Sequence, residues 1–161
     1  MKKEAILDPT GTYRYLLARQ WRESSKGPLL FIMLNPSTAD ADVDDPTIRR
    51  CINFAIKWGY GRIEVVNIFA LRSTDPAKLH DAVDPIGPEN KRFILEAAAR
   101  AGKIVAAWGV HGEIHDRGLR VLELLKEYNI YCLGVTKHQR PKHPLYLKKD
   151  LSPVMFLPKG I

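Results

Sequence analysis

The sequence predicts an α/β protein: a three-layer α/β/α sandwich around a mainly parallel, four-stranded central sheet, with an N-terminal β-hairpin. Three observations carry that expectation. The apolar run Leu29-Leu30-Phe31-Ile32-Met33-Leu34 suits a strand buried on both faces of a parallel sheet. The stretches Arg62–Ala70, Ile104–Trp108 and Ile130–Val135 read as further strands. Helical patterns separate the four, and the order β-α-β-α-β-α-β favours parallel pairing with helices layered on the sheet.

Each element has a local reason. Ala5-Ile6-Leu7, the turn Asp8-Pro9-Thr10-Gly11 and the stretch Tyr13–Trp21 form the hairpin, and Ser24–Pro28 is a loop. Pro36 cannot donate to a sheet ladder, so the central strand stops at Asn35. Asp45-Pro46 starts a helix with proline at its first position. Ile48, Cys51, Ile52, Ala55, Ile56 and Trp58 lie roughly on one face of it, and Gly59 and Gly61 end it. Asp75-Pro76 opens a short turn or helix, and Pro88-Glu89 opens a longer helix that ends at Gly102. Asp116–Tyr128 is a helix with Leu119, Leu122, Leu124 and Leu125 as apolar residues. The proline-rich tail from Pro141 packs over the strand ends or stays partly loose. No repeat or linker divides the chain. Residues 1–161 read as a single domain, with the hairpin at 1–28, the core at 29–146 and a C-terminal tail at 147–161.

Composition narrows the function classes. The chain has 161 residues, 45% hydrophobic and 27% charged, which suits one domain with a full core. No apolar run approaches the ~20 residues of a membrane span, and no signal-peptide core follows Met1-Lys2-Lys3-Glu4. The expectation is a cytoplasmic protein with no membrane partner, monomeric by default. Cys51 and Cys132 are too few for a disulfide scaffold and lack metal-ligand spacing, so buried free thiols are expected. Net charge is +7, from 25 basic and 18 acidic residues. Lys137, Arg140 and Lys142, with His138 and His143, concentrate positive charge between Thr136 and Pro144. Such a stretch suits phosphates, or else is simply a solvated loop.

The loops after the four strands should converge on one edge, where open α/β sheets take their ligands. They supply Asn35, Ser37 and Thr38; then Asn67, Arg72, Ser73 and Thr74; then Trp108, Gly109 and His111; then Lys137, His138, Arg140 and His143. Asn35, Asn67 and His143 form one candidate site assembled from distant parts of the chain. No Gly-Lys-Ser/Thr phosphate loop, Gly-x-Gly-x-x-Gly turn or Gly-x-Ser-x-Gly elbow occurs. Nucleotide-triphosphate hydrolysis, dinucleotide binding and serine-esterase chemistry are therefore unsupported. Amides and histidines around a pocket suit a planar heterocycle, because Asn donates and accepts at once. Histidine can protonate or hydrogen-bond a departing base oxygen. Asn35 positions a water rather than activating it, since an amide is no useful base at neutral pH.

Simpler readings stand beside these. Asn35 could be a turn residue bonded to its own backbone, Asn67 an amide satisfied within the sheet, and His111 and His143 ordinary loop histidines. Asp40, Asp42, Asp44 and Asp45 lack calcium-loop spacing and read as the start of a helix. His111, His115 and His138 lack a zinc-binding pattern. Neither a metal nor a cofactor is expected.

Asn35-Pro36-Ser37-Thr38-Ala39-Asp40, Asp45-Pro46-Thr47, Ala106–Gly112 and His143-Pro144-Leu145-Tyr146 resemble an uncharacterised bacterial and phage family, a domain of unknown function, over roughly Leu29 to Tyr146. More distantly, the motif layout is similar to the uracil-DNA glycosylase superfamily. Leu34-Asn35-Pro36 resembles that superfamily's first motif, with Asn as in its mismatch-specific branch. Asn67, followed by Arg72, resembles its base-reading strand; Ala107-Trp108-Gly109 resembles its Leu-Trp-Gly strand end; His143-Pro144 resembles the start of its His-Pro-Ser-Pro-Leu motif. The catalytic Asp of the strongest uracil glycosylases is absent, and Leu145 stands where the superfamily has a phosphate-contacting Ser. Tyr60, Phe69 and Trp108 are the candidates for stacking on a base.

The resemblance implies a DNA glycosylase that hydrolyses the N-glycosidic bond of an unusual or damaged base in a flipped nucleotide. Asn35 and His143 are its catalytic residues, and Asn67, Trp108 and Phe69 bind the base. Ser37, Thr38, Arg72, Lys137, Arg140 and Lys142 hold phosphates, of DNA rather than RNA. Two alternatives remain: a non-catalytic nucleic-acid or nucleotide-binding module, and an enzyme acting on free nucleosides or nucleotides.

Overall fold

The computed structural model describes residues 1–160. The hairpin β1 (Lys2–Leu7) and β2 (Arg14–Gln20) is followed by β3 (Leu29–Met33), which is buried throughout. Its side chains alternate between two cores: Leu29, Phe31 and Met33 pack on one face, Leu30 and Ile32 on the other. A strand buried on both faces needs apolar residues at every position, which is why the sequence runs without alternation here.

Helix α1 (Pro46–Lys57) begins where proline and an acidic cap coincide. Asp45 Oδ1 accepts the Ile48 N–H at 2.9 Å, and Pro46 occupies the first turn. The helix buries Ile48, Cys51, Ile52, Phe54 and Ala55 against the first core, each large apolar side chain contributing about 1.5–3 kcal/mol. Strand β4 (Arg62–Asn67) lies beside β3, with Met33 opposite Asn67. It ends at Asn67 rather than at Ala70. Asn90 Nδ2 bonds the Asn67 and Ile68 carbonyls at 2.9 and 3.3 Å, and Arg117 Nε bonds the Ile68 carbonyl at 2.7 Å. Side chains thus take these carbonyls out of the ladder.

The second core carries α2 (Ala77–Asp81), α3 (Asn90–Arg100) and α4 (Arg117–Leu124), through Leu79, Phe93, Ile94, Ala97, Val121 and neighbouring Leu125. Between α3 and α4 run β5 (Lys103–Ala106) and 3₁₀ turns over Val110–Asp116. The helix expected over Asp116–Tyr128 is shorter at both ends. His115 and Asp116 both take φ of 54°, a left-handed conformation that breaks the chain before Arg117.

After β6 (Ile130–Cys132) the tail departs from expectation. Val154–Leu157 forms β7, antiparallel to β6, with Cys132 opposite Val154 and Ile130 opposite Leu157. Pro153 and Pro158 bracket this strand and limit it to a short edge. The complete sheet has seven strands in the order β1-β2-β4-β3-β5-β6-β7. Its four middle strands are parallel. The hairpin is part of the same sheet, because β2 pairs antiparallel with β4 from Leu17 opposite Val65 to Gln20 opposite Arg62. The molecule is thus a mixed α/β structure with helices on both faces. Cys51 and Cys132 are buried and free. Among the described residues no helix is long and apolar enough to cross a membrane.

Candidate functional site

A cavity of about 330 Å³ opens at the carboxyl edge of the parallel strands, and Asn35, Asn67, Trp108 and His143 all line it. The three strand-end polar residues therefore converge.

Asn35 is fixed by its own amide. Nδ2 donates to the carbonyls of Pro36 at 3.2 Å, Leu71 at 3.2 Å and Ser73 at 2.9 Å. These bonds tie the loop after β3 to the loop after β4. They also orient the group, so that Oδ1 is its free acceptor end, with no protein donor among the described residues.

Asn67 is only 1% exposed, yet neither Nδ2 nor Oδ1 has a hydrogen-bond partner. An amide satisfied within the sheet is thus not what occurs here. Its backbone is held from the opposite face by Asn90, while its side chain meets the cavity. Leaving a buried amide unpaired costs about 1–3 kcal/mol, which a ligand with matching donor and acceptor would recover.

His143 is oriented by the backbone: its Nδ1 lies 3.2 Å from the Leu145 N–H and accepts it. The neutral ring then carries its proton on Nε2. Burial lowers its pKa from the ordinary 6.5, with the Asp45 carboxylate pulling weakly the other way. The ring is therefore neutral at pH 7 and presents an N–H donor.

Trp108 follows β5 and is held by glycines. A Cβ at Gly118 would lie 2.9 Å from the indole Nε1, and one at Gly112 would be driven into the ring. Gly109 adopts φ of 73° and donates its N–H to the Pro141 carbonyl at 2.8 Å, bringing the 3₁₀ segment and the His143 loop together.

Two charged lining residues were not among the sequence candidates. Arg14 opens β2 and is 2% exposed. Its Nη1 donates to the Ala39 carbonyl at 3.0 Å, but Nε has no partner. Burial pushes its pKa down to about 10, opposed by Asp45, so the guanidinium remains cationic at neutral pH. The signal was an arginine at the head of the apolar run Tyr15-Leu16-Leu17-Ala18. Asp45 lines the cavity as well as capping α1. Its sequence context explained a helix start so completely that no second role showed.

The other sequence candidates are distributed differently. Ser37 lines the cavity; Thr38 is exposed outside the lining. Phe69 is fully buried in the second core, edge-on to His115 at 6.3 Å, and Tyr60 is buried in the first core. Neither borders the cavity, because packing demands took both rings; Trp108 is the candidate aromatic that does. Arg72 Nη1 bonds the Gly11 carbonyl at 3.3 Å and anchors the hairpin turn. Lys137, Arg140 and Lys142 lie outside the lining, in the loop after β6, where Arg140 pairs with Glu113 at 3.5 Å. The aspartates after Ala39 are occupied locally: Asp40 Oδ1 accepts the Asp42 and Val43 amides at 2.8 Å, and Asp44 pairs with buried Arg19 at 2.7 Å.

Fold and site together define an α/β protein with a largely apolar cavity at the strand ends that a few polar side chains line. Within that class the chain belongs to DUF1643, a family described as a protein of unknown function, which it matches over residues 14–145. That span runs from Arg14 through His143 and includes every lining residue named above. Among curated proteins, the chain is similar to the nitrate reductase molybdenum cofactor assembly chaperone NarJ of Escherichia coli K12 and of Escherichia coli O157:H7. Each match is 29% identical over 90 residues and covers 47% of this chain. The chain spans 38% of the length of those curated relatives. No solved structure matches significantly.

Proposed function

We propose that this protein is a DNA glycosylase-like hydrolase that cleaves the N-glycosidic bond of an unusual or damaged base flipped into the strand-end cavity. The observation that carries the reading is Asn67, a buried amide with donor and acceptor both vacant, lining a pocket. A nucleobase edge supplies an adjacent acceptor and donor, the complement of that amide.

The surrounding groups fit the reaction. Asn35 Oδ1 holds a water for attack at C1′ of the flipped nucleotide. As the C1′–N bond breaks, its electron pair leaves with the base, and the His143 Nε2–H donates to an acceptor on the departing base. The water oxygen bonds to C1′ and its proton passes to Asp45, the carboxylate that lines the cavity among the described residues. Lys137 and Lys142, on the loop that carries His143, suit the flanking phosphates. The resemblance of the motif layout to that of the uracil-DNA glycosylase superfamily supports the same assignment from sequence.

The test is base release from single- and double-stranded oligonucleotides carrying deaminated, alkylated and hypermodified bases, with Asn35→Ala and His143→Ala as paired controls. Release by the wild type that drops at least 100-fold in both variants supports the reading. Release unchanged in both variants rejects the assignment of these residues.

A further inference from the structure

Arg14 poses a problem that the hydrolytic mechanism does not use. It is a nearly completely buried guanidinium with one hydrogen bond, to the Ala39 carbonyl, and no carboxylate within ion-pair distance among the described residues. Its Nε is vacant and its Nη2 has no protein acceptor among the described residues. Buried charges are ordinarily paired, and a guanidinium offers donors in a planar fork. Arg14 lines the cavity that Asn67 also lines.

The sheet explains why the two residues act together. β2 and β4 are hydrogen-bonded neighbours, and Arg14 donates its backbone N–H to the Ala70 carbonyl at 3.0 Å, just past the end of β4. Met33, Ile48 and Val65 line the same cavity and belong to the core beneath α1. A guanidinium with Nε and Nη2 unpaired and an amide with Nδ2 and Oδ1 unpaired therefore line one pocket beside these apolar residues.

We propose that this pocket selects an oxopurine base, Asn67 reading its N1–H and O6 and Arg14 reading its O6 and N7. The inference rests on the cavity being a base pocket and names the base class. An arginine fork matches paired acceptors at O6 and N7, while an amide matches the donor and acceptor at N1 and O6. Uracil satisfies Asn67 through N3–H and O4 but has no second acceptor for the fork, leaving Arg14 buried and unpaired. Adenine and cytosine each turn an amino donor toward the guanidinium. Both lose the pairing that an oxopurine makes.

The experiment titrates the full-length protein with deoxyinosine, 7-deaza-deoxyinosine, deoxyuridine and inorganic phosphate by calorimetry. Oligonucleotides carrying hypoxanthine or uracil are assayed for base release in parallel. Deoxyinosine is expected to bind about tenfold or more tightly than deoxyuridine, and loss of N7 in the deaza analogue is expected to remove most of that advantage. Arg14→Met should bind deoxyinosine and its deaza analogue alike. Arg14→Lys, which keeps the charge without the fork, should recover little of the difference. Deoxyuridine binding as well as deoxyinosine, no effect of the deaza substitution, no nucleoside binding, or displacement of deoxyinosine by phosphate would each overturn the proposal. A preserved preference for deoxyinosine without base release from either oligonucleotide supports the oxopurine pocket while removing the glycosylase reading. Release of uracil without an oxopurine preference does the reverse.

Discussion

His143 Nδ1 accepts the backbone N–H of Leu145 at 3.2 Å, and this contact decides which ring nitrogen faces the cavity as a donor. Because a local backbone turn provides it, the orientation persists without substrate. Burial keeps the ring neutral below the pH at which an ordinary histidine would charge.

The proposed reaction needs the neutral ring, so its acid limb lies below pH 6.5, the ordinary histidine value. A pH profile of single-turnover base release checks this. His143→Gln should lower the rate about 100-fold or more and remove the acid limb assigned to His143.

The same group affects stability. Its folded pKa is depressed, so between that value and 6.5 the unfolded chain binds more protons than the folded one. Stability is therefore lost as pH falls through that window and is retained above it. Melting temperatures of the wild type and His143→Gln between pH 5 and 8 should diverge in this sense, with the wild type showing the steeper decline.

Asn67→Leu should separate stability from function. Replacing an unsatisfied buried amide with an apolar side chain of similar size removes a desolvation penalty, so unfolding free energy should rise by about 1 kcal/mol. Base binding should be lost. Urea denaturation and nucleoside titration measure the two effects.

Gly118→Ala should push the Trp108 indole out of place, since the added Cβ would lie 2.9 Å from its Nε1. A cost of about 1–3 kcal/mol is expected from overpacking, together with a shift in tryptophan fluorescence. Unchanged stability would mean that the indole yields easily.

Lys137→Ala and Lys142→Ala should each weaken DNA binding and reduce the slope of log K against log salt by roughly 0.9. Preference among bases should not change, because both residues lie outside the cavity lining. Binding titrations at several salt concentrations test this.

The central strands were legible because their burial on both faces leaves continuous apolar runs, as at Leu29–Leu34. Asn35 was legible as a strand-end position, since Pro36 stops its strand, and Asn67 as a member of the same edge although its strand was expected to run on to Ala70. β7 was not, because Val154–Leu157 is short and bracketed by prolines that also suit a loop. Phe69 looked like a pocket aromatic, but sequence could not tell which ring the second core would claim. Arg14 and Asp45 were hidden for opposite reasons. Arg14 reaches the cavity only because β2 joins the sheet beside β4, a long-range pairing without a local signal. Asp45 already had a sufficient local explanation as the cap of α1.

The most direct measurement is mass-spectrometric detection of free base after incubating the wild-type protein with oligonucleotides that each carry one altered base. The wild type is expected to release an oxopurine, leaving an abasic strand, and Asn35→Ala to lose that release. Intact oligonucleotides across the panel, with salt-dependent binding preserved, would contradict the hydrolytic function and leave a nucleic-acid-binding protein.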